Sequence, residues 1–146
     1  FPSKHRHTQS ELLLESPLEL VVPLDEYDDE TGIAVDIEQL FNEYSFFINH
    51  IPSVSDEINH QIKTHFLSTK TISNSHSYIV KRVIKDGLGI SFLPKMITRR
   101  EMMEGRFNVI PFPHFKLPTV QVFLLTRKDY VVSKDLVELI KTSYIG

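Results

Sequence analysis

Short apolar runs of strand length alternate with helical periods along most of this chain, and that alternation restricts the fold more than any other feature. Glu11 to Glu15 and Leu18 to Pro23 read as two strands separated by Ser16-Pro17. Ser45 to Ile48, Thr69 to Ser73, Gly89 to Leu93, Asn108 to Ile110 and Thr119 to Thr126 read as further strands. Between them lie helical stretches. Asp36 is placed to cap Ile37 to Asn42, and Ser55 to cap a helix whose apolar positions are Ile58, Ile62 and Phe66. Ser75 opens a helix with Ile79, Val80, Val83 and Ile84 on one stripe, Lys95 to Met103 forms the next, and Ser133 starts a last one. Gly87 falls where a helix commonly ends in a left-handed residue. Asp25 to Gly32 is acidic and turn-rich, a loop. Strand-helix-strand units of this length predict an α/β fold with parallel pairing and right-handed crossovers.

Composition narrows the function. The chain has 146 residues, 41% apolar and 24% charged, enough to bury a core as roughly one domain. Its formal net charge is -3, whereas proteins that grip duplex DNA present a basic surface to the phosphates, so direct DNA binding by this chain is not expected. With no cysteine there is no disulfide, thiolate metal site or thiol nucleophile, which fits a reducing compartment. No apolar run approaches the length of a membrane span, and the first residues do not read as a signal peptide. The first residue is not methionine, so the chain reads as part of something longer.

In open α/β sheets ligands gather beyond the carboxyl ends of the strands, beside helix N-termini. That rule selects Asn49, His50, Ile51, Ser53 and Ser55 after the Ser45 to Ile48 strand, and Asn74, Ser75 and His76 after the Thr69 to Ser73 strand. Leu93 and Pro94 form a weaker third place. Free helix amides suit an anion. Each group also has a plainer reading: Ser55 as a helix cap, His76 as a solvated side chain, and Phe92 and Pro94, which could wall a pocket, as core and strand stop. Ser91 lacks the second glycine of a nucleophile elbow. His5 and His7 read as a solvated tail, and Asp25 to Glu30 does not have the glycine offset of a calcium loop. No metal, cofactor or catalytic constellation is expected.

The stretch Tyr78 to Pro94 (YIVKRVIKDGLGISFLP) is a helix, a glycine turn, a short apolar strand and a proline. It resembles a hallmark of the effector-binding domain of LysR-type transcription regulators. Gly105 to Pro111, Val120 to Arg127 and Val132 to Leu136 resemble the family's later segments, and Leu18 to Pro23, the Ile37 to Leu40 helix and Ser45 to Ile48 follow its order. The resemblance covers nearly the whole chain.

It implies an α/β fold like the type II periplasmic binding proteins, N-terminally truncated: a complete second lobe at about 24–112, with hinge strands and first-lobe remnants at 1–23 and 113–146. Leu18 to Pro23 and Thr119 to Thr126 would be the two strands crossing between lobes, side by side near Val21 and Phe123. The resemblance further implies a cytoplasmic, non-enzymatic sensor that binds a small, possibly anionic effector, reaches DNA only through a helix-turn-helix domain elsewhere in the parent protein, and forms a homodimer or larger homo-oligomer. The rival readings are an extracytoplasmic solute-binding protein of the same fold, a small α/β enzyme, and a bare interaction module.

Overall fold

The computed structural model describes residues 8–24 and 35–127. The expected acidic loop, the tail histidines and the Ser133 helix lie outside the described residues. The expected α/β architecture is present. Strand β1 (Thr8–Val22) is followed by α1 (Ile37–Glu43), β2 (Ser45–Ile48), α2 (Ser55–His65), β3 (Thr71–Ser73), α3 (Ser77–Lys85), β4 (Gly89–Pro94), α4 (Lys95–Met103), β5 (Asn108–Ile110) and β6 (Thr119–Arg127). The sheet order is β3-β2-β4-β1-β5, with β6 paired to β1. β2 is parallel to β3 and β4, and β1 is antiparallel to β4, β5 and β6.

Alternation along the strands sends side chains to two cores. On one face Leu18, Leu20, Phe46, Ile90, Phe92 and Ile110 pack under α1 and α2 through Leu40, Phe41, Ile58 and Ile62. On the other, Val21, Phe47, Leu93 and Phe107 pack with Val80 and Ile84 of α3, beside Ile97 and Met102 of α4. All six residues of β4 are buried, as a central strand covered on both faces requires. Beneath α1, Phe41 stacks on Phe66 at 4.0 Å and on Phe46 at 5.2 Å between ring centres.

Two expectations about β1 are corrected. Glu11 to Glu15 and Leu18 to Pro23 are one strand, not two, running straight through Ser16-Pro17. The crossing partner of Phe123 is Leu12, while Val21 pairs with Ser91 and Val109. The strand changes neighbours at Pro17: Thr8 to Pro17 follow β6, and Leu18 to Val22 lie between β4 and β5. Proline's extended φ suits a strand, and its missing N–H falls where one ladder ends and the next begins. Leu20 and Val21 are paired on both edges, to β4 and to β5, and β6 follows only the preceding half of β1.

Helix ends explain other boundaries. α3 closes with Gly87 at φ 77°, the Leu88 N–H on the Val83 carbonyl and the Gly87 N–H on the Ile84 carbonyl, the double bond of a left-handed stop. Asp36 caps α1 as expected, accepting the Gln39 N–H at 3.2 Å. Ser55 does not cap α2: a 3-10 turn at Pro52–Val54 precedes it, Ser55 is itself helical, and its Oγ donates to the Ile51 carbonyl at 2.7 Å. α3 starts at Ser77 rather than Ser75, because Asn74 Oδ1 takes the His76 N–H at 2.8 Å in a tight turn before it. Gly89 lets β4 lie against β2, since a Cβ there would strike the Phe47 ring and come within 3.0 Å of the Ser45 carbonyl.

Candidate effector site

The carboxyl ends of β2, β3 and β4 meet at one edge of the sheet, where β1 enters beside them through the Leu18–Pro94 pair. Asn49 ends β2 in the left-handed region, at φ 71°, a conformation asparagine adopts more readily than most residues. Its Nδ2 donates to Ser73 Oγ at 3.0 Å, and its Oδ1 accepts Asn59 Nδ2 at 3.0 Å. The ends of β2 and β3 are thereby tied to α2.

Behind this edge lies a cavity of about 20 Å³, the size of about one water. Its walls are mostly apolar: Leu18, Phe46, Ile48, Ile51, Val54, Ile58 and Phe92. The polar lining comes from Asn49, His50, Ser55 and Ser91. Leu18 belongs to β1, so the strand that continues to β6 also forms part of the wall.

His50 is the chemical centre. Its Nε2 lies 2.8 Å from the Phe92 carbonyl and 3.3 Å from Ser91 Oγ. A carbonyl only accepts, so the uncharged ring carries its proton on Nε2. Burial pushes the imidazole below its ordinary value. The carbonyls of Phe92 and Ile48 work in the opposite direction without overcoming it. Nδ1 is buried. Ser91, fully buried, donates its Oγ hydrogen to the Phe47 carbonyl at 2.7 Å. The Ser91 and His50 protons therefore both point at backbone carbonyls. That is not a serine poised beside a base, because the nearer ring nitrogen is already protonated.

Of the residues singled out from sequence, Asn49, His50, Ile51 and Ser55 come together on the cavity wall. Ser53 is exposed in the 3-10 turn. Asn74, Ser75 and His76 stand on the neighbouring loop, joined to the first by the Asn74 N–H on the Ile48 carbonyl and by Ser77 Oγ, 3.3 Å from the His50 carbonyl. Leu93 faces the opposite core, beside Val80 and Ile84, and Pro94 is buried at the start of α4. Sequence reasoning missed Ser91, Asn59 and Leu18 as parts of the site. The alternation that puts Phe92 under α1 puts Ser91 on the other side of β4, which was the one available signal.

One contact ties the site region to the crossing strand. Ser16, buried on β1, accepts the Met96 N–H of the first turn of α4 at 3.0 Å. No group of three or more histidine, aspartate or glutamate residues able to hold a metal occurs among the described residues. No helix among them is long and apolar enough to cross a membrane.

The sequence model of the LysR substrate binding domain matches residues 1–143. The chain belongs to the LysR substrate-binding-domain family. A curated relative, the HTH-type transcriptional regulator CitR of Bacillus subtilis (strain 168), is 27% identical over 128 residues, covering 88% of this chain and 44% of CitR. A second, the uncharacterized HTH-type transcriptional regulator YxjO of the same organism, is 24% identical over 95 residues, 64% of this chain and 33% of that protein. The chain thus spans less than half of the curated relatives it matches. The regulatory domain of HypT from Salmonella typhimurium superposes with a TM-score of 0.62 at 17% identity, over 96% of this chain and 68% of that one. The effector domain of AmpR of Pseudomonas aeruginosa does so with 0.61 at 13%, over 98% and 69%. These likenesses show the fold, which for LysR-type regulatory domains is the type II periplasmic-binding-protein-like arrangement. This chain is a LysR-type effector-binding domain.

Proposed function

We propose that the chain senses a small molecule at the carboxyl-end edge of its sheet and passes its occupancy to a DNA-binding domain elsewhere in the parent protein. The observation that carries this reading is the meeting of the carboxyl ends of β2, β3 and β4 at one edge of the sheet, where α/β sheets hold ligands, with Asn49 and His50 gathered there and β1 alongside. On this reading residues 24–112, approximately, are the second lobe, and 1–23 and 113–146 are hinge strands and first-lobe remnants. A ligand held between two lobes favours one arrangement of them by as much as its affinities for the two arrangements differ. The HTH-type names of CitR and YxjO support a helix-turn-helix partner domain in the parent. By the same analogy the parent is a cytoplasmic homo-oligomer, at least a dimer, and not an enzyme. The Nε2-protonated His50 and the Ser91 hydroxyl committed to a carbonyl agree with a binding role.

A thermal-shift screen of the full-length protein with small metabolites tests this. A ligand that binds only the folded state raises the melting temperature with its concentration. The reading expects such a ligand, with its stabilisation lost in His50→Phe and retained when the distant exposed Arg82 is replaced by alanine. A stabilising ligand indifferent to His50 would contradict it.

A further inference from the structure

We propose that Ser16 is a joint between the crossing strands and the rest of the molecule: its hydroxyl holds the first turn of α4 from the far side of Pro17, and loss of that bond is felt at the Asn49–His50 edge. The joint serves the effector reading above, but its own test needs no ligand. β1 has two sets of neighbours. Ser16 pairs with Val120 of β6, whereas Leu18 pairs with Pro94 of β4, the residue before α4. Yet Ser16 Oγ accepts the Met96 N–H at 3.0 Å. A side chain from the β6 half of the strand therefore caps a helix that grows out of β4. α4 supplies no cap of its own: its N-cap residue is Pro94, whose ring has no group that could accept the bond. The first amides of a helix lack partners within it, so this one depends on Ser16, which is itself buried. On the other side of Pro17, the charge of Lys95, the first residue of α4, favours the ionised form of Glu19. The first turn of α4 thus straddles the point where β1 changes neighbours.

Further along, α4 is tied to α3. Lys81 of α3 forms an ion pair with Glu101 and donates to the Ile97 carbonyl at 2.8 Å, so it grips both a side chain and the backbone of α4. α3 in turn begins at the effector edge. Its Ser77 hydroxyl donates to the His50 carbonyl at 3.3 Å, and in the loop before it the Asn74 N–H binds the Ile48 carbonyl at 3.0 Å. Polar contacts therefore run from the His50 loop through α3 and α4 to the β6 half of β1. A hydrogen bond is lost once donor and acceptor separate beyond about 3.5 Å. A turn of the crossing strands that carries Ser16 that far from α4 breaks the cap, and one that keeps it in reach holds α4 in the present arrangement. Whatever favours the capped arrangement at one end of this route favours it at the other to the same extent.

Amide spectra of the full-length, 15N-labelled protein test this without a ligand, because chemical shifts report the folded arrangement and not its overall stability. Four chains are compared: the natural one, Ser16→Ala, Lys81→Met with Glu101→Leu, and the three substitutions together. In Ser16→Ala the Met96 amide is expected to exchange with solvent about 5-fold faster, the worth of one ordinary hydrogen bond. The signals of His50, Ile51 and Ser77 are expected to move by more than a linewidth in the same variant. With Lys81 and Glu101 replaced, Ser16→Ala is expected to move Met96 alone. Ser16→Cys, whose sulfur is a weak acceptor, takes the place of the alanine variant should that one not fold. Shifts confined to residues 94–99 make Ser16 a helix cap and nothing more, and overturn the proposal. So does an unchanged Met96 amide. Shifts at His50 that persist undiminished without Lys81 and Glu101 overturn the route through the two helices. None of these results bears on whether a small molecule binds, so the effector reading stands or falls by its own thermal-shift screen.

Discussion

Burial lowers the His50 imidazole, and it outweighs the two backbone carbonyls, of Phe92 and Ile48, that favour the protonated ring. The sign of the pH dependence follows. A histidine whose folded-state value is depressed leaves the unfolded chain binding more protons, so stability is fully present above the unfolded value, roughly 6.5, and is lost as pH falls through the folded one. Urea midpoints measured from pH 7.5 down to pH 5 should fall for the natural chain and fall less for His50→Phe; parallel curves would contradict the assignment. Gly89 is a second residue with a definite demand. Gly89→Ala would drive a methyl into the Phe47 ring, and overpacking of this kind costs about 1–3 kcal/mol. A denaturation midpoint unchanged by that substitution would show that β2 and β4 part easily. Ser16 is the third. Removing its oxygen in Ser16→Ala leaves the Met96 amide without its acceptor, a loss comparable to a missing helix cap, about 1 kcal/mol, and readable as a lowered melting temperature.

Helices and strands differ in how much of them the sequence discloses. β2, α4 and β5 begin and end where apolar period and punctuation put them, because each is bounded by local chemistry: Tyr44 and Asn49 around Ser45–Ile48, Pro94 and Gly105 around Lys95–Met103. The continuity of β1 was hidden, because Ser16-Pro17 is a turn signal by local rules and only pairing with β6 on one side and β4 on the other makes it a strand. Ser55 misled for a related reason. Its composition suits a cap, but the preceding 3-10 turn moves the helix start and turns its hydroxyl back to Ile51. The Asn49 to Ser55 part of the site was legible from the strand-end rule, whereas Ser91 acquires its role from the Phe47 carbonyl 44 residues away, which no local pattern displays.

Elements are also held by pairs that sequence cannot join. Lys81 of α3 forms an ion pair with Glu101 of α4 and donates to the Ile97 carbonyl at 2.8 Å. Burial raises the Glu101 carboxyl, but the hydrogen bond and charge of Lys81 more than offset this and hold it below the ordinary range. Lys81→Met would leave that carboxylate buried and unpaired, costing about 1–3 kcal/mol, and Lys81→Met with Glu101→Leu should recover much of the loss. A double variant no better than the single one would show that the pair is not the reason.

At the scale of the whole molecule, the return segment between β5 and β6 packs on the same residue that walls the cavity. Phe112 and Phe115 lie 5.0 and 5.9 Å from Phe92 between ring centres, each edge-on, and 4.8 Å from each other. Phe92 in turn offers its carbonyl to His50. The cavity wall and the return segment are therefore packed against each other through Phe92. The match to the LysR substrate binding domain over 1–143 gives this arrangement its family, and the proposed function places its ligand at the carboxyl-end edge. Amide hydrogen exchange of the full-length protein, with and without a ligand that stabilises it, tests that claim most directly. Slowed exchange is expected over 46–58 and 89–94 and along β1 from 14 to 22. Protection confined to other segments, with these unchanged, would contradict it.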